Sequence, residues 1–131
     1  MKARILFVED DPTVLELGRT VLTKLGHQVL TATTGPQAYE LACREHPDAI
    51  ALDVMLPGMN GFEVAKLLKE NQSTRNIPIA FVSAKNQSHD IVEGFNSGGA
   101  LYLTKPFTVN ALKTTIESLL QPKPEKPHAR H

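Results

Sequence analysis

Short apolar runs alternate along the chain with longer segments in which apolar residues recur every three or four positions. Such spacing is typical of amphipathic helices, and short apolar runs bounded by turn residues are typical of strands. Strands that alternate with helices indicate an α/β protein with a parallel sheet. The predicted strands are RILFV, HQVLTAT, DAIALDV, IPIAFVSA and ALYLT, and the predicted helices are PTVLELGRTVLTKLG, GPQAYELACREH, NGFEVAKLLKEN, SHDIVEGFNSG and TVNALKTTIESLL.

The composition of the strands predicts their order in the sheet. The centres of the first, third and fourth strands, ILFV, AIAL and IAFV, are apolar on both faces, as expected for strands covered by helices on both sides. The second strand alternates with polar residues, which favours an edge position. Because βα crossovers are right-handed, helices cover both faces only if the strand order reverses once. We therefore expect a doubly wound (βα)5 sheet with five parallel strands in the order 2-1-3-4-5.

The composition of the chain fits one domain of ordinary size. Its 131 residues include 14 Lys and Arg and 14 Asp and Glu, so the formal net charge is zero. This balance gives no reason to expect direct binding of nucleic acid or of a membrane surface. The single cysteine, Cys43, excludes an intramolecular disulfide, and the acidic start of the sequence leaves no apolar run for a signal peptide. Both features favour the cytoplasm.

The end of the chain differs in composition from the rest. Residues 122–131 contain three prolines and only one apolar side chain, that of Ala129. Burial of so little apolar surface does not offset the entropy lost on ordering. We expect residues 1–121 to form the domain, and residues 122–131 to be a disordered tail or the start of a linker.

Polar side chains follow four of the predicted strands at the point where each strand ends. Glu9 and Asp10 come after the first strand, Asp53 closes the third, Ser83 closes the fourth, and Lys105 follows the fifth. In open α/β sheets, functional groups gather beyond the carboxyl ends of the strands. We therefore expect these side chains to lie together at one edge. Taken singly, each of these residues also has a simpler interpretation. Acids and hydroxyls at strand ends often cap loops, and a lysine is often only a surface cation.

The carboxylates at this edge predict a metal site. Glu9, Asp10 and Asp11 are consecutive, and adjacent like charges repel one another unless a cation offsets them. Asp11, which precedes Pro12, is also a good helix N-cap. Carboxylates converging from the first and third strands form an oxygen-only site of the kind that Mg²⁺ prefers, with Mn²⁺ as a substitute. Such a site can hold a phosphoryl group beside a carboxylate nucleophile, where a lysine and a hydroxyl contact its oxygens.

The motifs VEDD, DVMLPGMNG, VSA and YLTKPF stand at the ends of the first, third, fourth and fifth strands, in that order. In combination they make residues 2–121 resemble the receiver domain of bacterial two-component response regulators, which has a flavodoxin-like, CheY-like fold. The resemblance implies a phosphoacceptor that receives a phosphoryl group from a histidine kinase or a phosphotransfer protein. It also implies a switch surface of helix 4, strand 5 and helix 5 that controls a downstream effector or output domain.

The resemblance also assigns roles to individual residues. Asp53 would be the phosphoacceptor, and Lys105 and Ser83 would contact the phosphoryl group. Tyr102 would be the aromatic switch, and the bond between Lys105 and Pro106 would be cis. The implied Mg²⁺ ligands are Glu9, Asp10, Asp53 and the main-chain carbonyl of Met55. Such a domain is not an enzyme in the usual sense, because it catalyses only its own phosphorylation and dephosphorylation.

The sequence departs from the pattern of the DNA-binding branch of this family before strand 5. Ala100 and Leu101 stand where an acidic pair is common, and the last helix offers only Lys113 as a cation. The resemblance therefore leaves dimerisation open, because the usual charge-paired dimer face is not matched. Leu101 is either an apolar contact site or an ordinary exposed residue. We favour a stand-alone regulator, or a receiver excised from a larger protein, over a DNA-binding regulator.

Three other functions fit parts of the pattern. A flavodoxin-type cofactor binder has the same strand order but needs a phosphate cradle of Ser, Thr and Gly after strand 1, where this chain has carboxylates. A phosphatase of the haloacid dehalogenase type carries its nucleophile after the first strand, whereas Asp53 ends the third. A receiver that acts only as an interaction module would not need the complete set of site residues.

Overall fold

A computed structural model describes residues 2–122, and within them strands and helices alternate along the chain. The alternation confirms the predicted βα units. Of residues 122–131, for which we predict a tail or linker, all but residue 122 lie outside the described part. The strands are β1 (Arg4–Val8), β2 (Gln28–Ala32), β3 (Ala49–Asp53), β4 (Ile79–Ser83) and β5 (Leu101–Thr104), and the helices are α1 (Pro12–Lys24), α2 (Gly35–Glu45), α3 (Gly61–Glu70), α4 (Ser88–Asn96) and α5 (Val109–Leu120).

The strands form one parallel sheet in the order β2-β1-β3-β4-β5, which confirms the predicted topology. β1 lies between β2 and β3, and Leu6 at its centre is in register with Leu30 on one side and Ile50 on the other. The order reverses at β1 and β3, so the connections leaving these two strands diverge. A crevice at the carboxyl ends of the strands follows from this reversal.

The two faces of the sheet have separate apolar cores, because successive side chains of a strand point to opposite faces. In β1, Ile5 and Phe7 pack in the core that contains side chains of α1 and α5. Leu6 and Val8 pack in the other core, with side chains of α2 and α3. β3 and β4 are buried along their whole length, as the sequence predicts for central strands. Their carboxyl ends are therefore held rigidly on both sides.

The edge strands are less buried than the central ones. β2 begins with the exposed Gln28 and becomes fully buried only at Ala32, which confirms the edge position predicted from its polar residues. β5 forms the opposite edge, and its first three residues are half-buried. Leu101 packs partly against the core of α1 and α5, which favours ordinary packing for this residue.

Local signals in the sequence position the ends of α1. Asp11 is the N-cap, and its carboxylate accepts hydrogen bonds from the backbone N–H groups of Thr13 (2.9 Å) and Val14 (3.4 Å). At the other end, the helix gives way to Gly26, whose φ of +97° lies in the left-handed region. The cap fixes where the helix begins relative to the acidic residues after β1. Within residues 2–122, no helix is long and apolar enough to cross a membrane.

Candidate functional site

The carboxyl ends of β1, β3, β4 and β5 bring the predicted site residues to one edge of the sheet. Glu9 follows β1, Asp53 is the last residue of β3, and Ser83 is the last residue of β4. Lys105 follows β5, and its backbone N–H donates to the carbonyl of Ser83 at 2.9 Å. The crevice expected from the strand order is therefore lined with acidic, basic and hydroxyl groups.

Three carboxylates meet at this edge. Glu9 and Asp53 are 1% and 3% exposed, whereas Asp10 is exposed. One oxygen from each of them lies within 4.8 Å of the others. Asp11 is not part of this cluster, because its carboxylate caps α1. The structure thus separates the consecutive acids into two that turn toward Asp53 and one that serves the helix.

Lys105 supplies the cation nearest to the buried carboxylates. Its ammonium donates a hydrogen bond to Oε1 of Glu9 and another to Oδ2 of Asp53, the latter at 3.1 Å. The lysine side chain is only 18% exposed, so water screens these contacts weakly. The Lys105–Pro106 peptide bond is cis. Lys105 contacts two of the three carboxylates, so its single charge does not balance them.

Burial and the neighbouring charged groups change the protonation behaviour of Glu9. Burial raises the pKa of Glu9 from 4.5 to about 7. The hydrogen bond from Lys105 acts in the opposite direction, while the neighbouring Asp53 adds to the increase. For Lys105 itself, burial acts to lower the pKa, but the contacts with Glu9 and Asp53 outweigh burial and raise it. Lys105 therefore stays charged, while Glu9 titrates near neutral pH when no further cation is bound.

The loop after β3 orients Asp53 through its backbone. The N–H of Met55 donates to Oδ1 of Asp53 at 3.1 Å, while the Met55 side chain is 57% exposed at the mouth of the site. Gly61, the first residue of α3, lies so close to the carbonyl of Asp53 that any side chain there would collide with it. Both Asp53 carboxylate oxygens thus have a donor, one from the backbone and one from Lys105.

The donor set suits a hard cation. Oxygen is the only ligand atom that the three carboxylates offer, and oxygen ligands are what Mg²⁺ and Mn²⁺ prefer. A second positive charge would offset the carboxylate charge that Lys105 leaves unbalanced. The residues present therefore fit the metal site that the sequence predicts.

Ser83 and Tyr102 are connected through the backbone of Lys85. The Oγ of Ser83, which is fully buried, accepts a hydrogen bond from the N–H of Lys85 at 3.1 Å. The hydroxyl of Tyr102 donates to the carbonyl of Lys85 at 2.6 Å, and its half-buried ring lies 6.1 Å from that of Phe81. Lys85 thus connects Ser83, at the end of β4, to Tyr102 in β5.

Sequence reasoning did not find Lys85 or Asp90, which lies next to it in space. The Asp90 side chain is 7% exposed and lies 3.9 Å from the Lys85 ammonium, and it also accepts from the N–H of Gln87 at 3.2 Å. With Glu93 and Met55, Lys85 lines an open cavity of about 470 Å³ beside Asp10. A lysine two residues after a strand carries no signal of these contacts, nor of those that its N–H and carbonyl make with Ser83 and Tyr102.

Comparisons with known proteins agree with this geometry. The sequence model of the response regulator receiver domain matches residues 5–117. PilH of Pseudomonas aeruginosa is 41% identical over 118 residues, which are 90% of this chain and 98% of PilH. PleD of Caulobacter vibrioides is also 41% identical, over 91% of this chain but only 26% of PleD. RpaA of Synechocystis is 38% identical, and this chain spans 49% of it.

Solved structures show the same architecture. The chemotaxis response regulator CheY4 of Vibrio cholerae superposes with a TM-score of 0.87 at 28% identity, over 92% of this chain and all of that one. The receiver domain of the sensor histidine kinase PA1611 from Pseudomonas aeruginosa, solved with a magnesium ion coordinated in its active-site cleft, gives 0.85 at 28% identity, over 92% of this chain and 98% of that one. Together with the match over residues 5–117, these likenesses show that the chain belongs to the family of response regulator receiver domains.

Proposed function

We propose that Asp53 is the residue on which this receiver domain accepts a phosphoryl group in two-component signalling. The observation that carries the proposal is the environment of the Asp53 carboxylate. It is buried, it is hydrogen-bonded to the ammonium of Lys105, and it lies beside Glu9 and Asp10. A carboxylate that must act as a nucleophile toward an anionic phosphoryl group needs positive charge close by, and the Lys105 ammonium supplies it.

Receiver domains interact with histidine kinases and output effectors. For this chain we infer a donor that carries phosphohistidine, either a histidine kinase or a phosphotransfer protein. An oxygen of Asp53 forms the bond to phosphorus while the phosphorus–nitrogen bond breaks, and the donor imidazole leaves with that electron pair. The Lys105 ammonium then faces the phosphoryl oxygens, where it offsets their added negative charge.

Glu9, Asp10, Asp53 and the main-chain carbonyl of Met55 would hold Mg²⁺ or Mn²⁺. The clustering of the three carboxylates supports this set, as does the magnesium ion in the receiver domain of PA1611. When bound, the metal neutralises charge on the transferring phosphoryl group. Asp10→Ala removes the exposed ligand without disturbing a buried contact, so we expect it to weaken Mg²⁺ binding strongly. Unchanged affinity in a calorimetric titration would contradict this ligand set.

Phosphorylation would be read out at the surface of α4, β5 and α5. The Oγ of Ser83 would leave the N–H of Lys85 to contact the phosphoryl group, and the contact between Lys85 and Tyr102 would change with it. The partner at this surface is a downstream effector or an output domain. We infer that the reaction takes place in the cytoplasm. We also infer that the domain catalyses only its own phosphorylation and dephosphorylation.

Intact mass spectrometry tests the assignment. The protein is incubated with acetyl phosphate and Mg²⁺, and the same experiment is run on Asp53→Asn. We expect the mass of one phosphoryl group on the wild type and none on the variant. Modification at the same level in both proteins would show that Asp53 is not the acceptor, and no modification of the wild type would favour a receiver that acts only as an interaction module.

A further inference from the structure

Gly94 lies in the last turn of α4, on the side that faces the sheet. A Cβ atom at this position would lie 3.0 Å from Cδ2 and 3.2 Å from Cε2 of Tyr102, and 3.1 Å from Cδ2 of Phe81. Carbon atoms in favourable contact are about 3.5–4.0 Å apart. The ring of Tyr102 therefore occupies space that a side chain at position 94 would need.

Glycine is a poor choice for the interior of a helix, because alanine at the same position loses less conformational entropy. Local sequence rules are usually broken where packing or function requires it. In α4 the requirement is space for the aromatic rings that lie between the helix and the sheet. Gly94 is buried, and the crowding that a methyl group would cause falls on two aromatic rings.

Of these two rings, that of Tyr102 has more freedom to move away. Phe81 is fully buried, its ring lies 5.2 Å from that of Phe62, and Gly99 lies so close to its edge that a Cβ atom there would collide with Cε2. Tyr102 is half-buried in the edge strand β5. Rotation of Tyr102 about its Cα–Cβ bond would relieve the crowding, and its ring would then leave the space between β5 and α4.

The inward position of Tyr102 has a connection to the phosphorylation site. Its hydroxyl donates to the carbonyl of Lys85 at 2.6 Å, and the N–H of the same residue donates to Oγ of Ser83 at 3.1 Å. A Tyr102 ring that has rotated outward cannot keep the contact with Lys85. The space beside Gly94 is therefore a condition for the connection that runs from Ser83 through the backbone of Lys85 to Tyr102.

We propose that Gly94 is a positioning residue, which leaves room for Tyr102 to lie inward beneath α4 and so links Ser83 to the α4–β5 surface. The link to signalling rests on the proposed function of Asp53. The placement of the Tyr102 ring does not rest on that function, because it depends only on the packing of α4 against β5.

Fluorine NMR of protein labelled with 3-fluorotyrosine tests the placement directly. The chain has two tyrosines, so the spectrum holds two resonances, and Tyr39→Phe assigns them. In Gly94→Ala we expect the Tyr102 resonance to shift toward that of the unfolded chain and to show a larger solvent isotope shift, because the ring is more exposed. Asn96→Ala, an exposed change at the end of the same helix, should leave both resonances in place. A folded Gly94→Ala protein with an unchanged Tyr102 resonance would overturn the proposal.

A second variant covers the case in which Gly94→Ala does not fold. Combining it with Tyr102→Leu removes the ring that the methyl group would crowd, so we expect the double variant to fold. Failure of the double variant would place the crowding at Phe81 and overturn the proposal.

Intact mass after treatment with acetyl phosphate and Mg²⁺ separates this inference from the proposed function. We expect Gly94→Ala to be phosphorylated on Asp53, since residue 94 does not contact the carboxylates. A wild-type protein that stays unmodified would count against the function of Asp53, while the fluorine spectra would still decide the role of Gly94.

Discussion

Replacing Glu9 with glutamine in the metal-free protein removes a buried acid whose pKa is raised from 4.5 to about 7. Between these two values the folded protein holds a proton on Glu9 that the unfolded chain has released. The contribution of Glu9 to the free energy of unfolding of the wild type must therefore fall as the pH rises through this range. Above pH 7 the loss is complete, because Glu9 is then ionised in both states.

The size of this loss follows from the two values. One pH unit corresponds to about 1.36 kcal/mol, so the wild type should lose about 3 kcal/mol of stability on account of Glu9. Glu9→Gln should lack this loss. Glutamine offers one acceptor oxygen where Glu9 accepts from both Lys105 and the N–H of Asp11, so the variant also loses a hydrogen bond, but at every pH alike.

Urea denaturation followed by circular dichroism, in the presence of EDTA, measures this difference between pH 4.5 and 8. Glu70→Gln, an exposed change in α3, is the matched control and should follow the wild type. Equal pH dependence in wild type and Glu9→Gln would refute the reasoning, because it would mean that Glu9 is ionised throughout this range in the folded protein. Addition of Mg²⁺ should shift the loss of the proton to lower pH.

Three further changes test the fold around the site, each by urea denaturation. Asp11→Ala removes the N-cap of α1 and should cost about 1 kcal/mol, whereas no loss would mean that the cap is not used. Gly18→Ala places a methyl group against the ring of Phe7 and should cost about 3 kcal/mol, and a neutral effect would show that the ring has room to move. Burial lowers the pKa of His27, whose Nδ1 accepts from the backbone N–H of Ala3, so the contribution of His27 to stability should fall as the pH drops below 6.5, and His27→Asn should lack that contribution.

The fold was predictable because burial on two faces leaves a clear pattern in a sequence. Strands that are apolar on both faces, such as residues 49–52 of β3, occur only where helices cover both sides, and this restricts the sheet to few topologies. The consecutive acids were also informative, since Asp11 before Pro12 has the signature of a cap. The predicted end of the first strand and start of the first helix were enough to separate Asp11, which caps the helix, from Glu9 and Asp10, which face Asp53.

The remaining parts of the site depend on contacts that side-chain chemistry does not reveal. Lys85 joins Ser83 to Tyr102 through its N–H and its carbonyl, which any residue except proline could provide. The raised pKa of Glu9 depends on how deeply it is buried, which a sequence does not specify. Gly94 looks like an ordinary interruption of an amphipathic helix until the ring of Tyr102 is placed beneath it.

The most direct test of the central claim is to locate the phosphoryl group on the chain. Protein treated with acetyl phosphate and Mg²⁺ is reduced with borohydride, which converts a phosphorylated aspartate to homoserine, and its peptides are sequenced by mass spectrometry. We predict homoserine at position 53 and unmodified aspartate at position 10 and position 11. Homoserine at another aspartate, with Asp53 intact, would contradict the account.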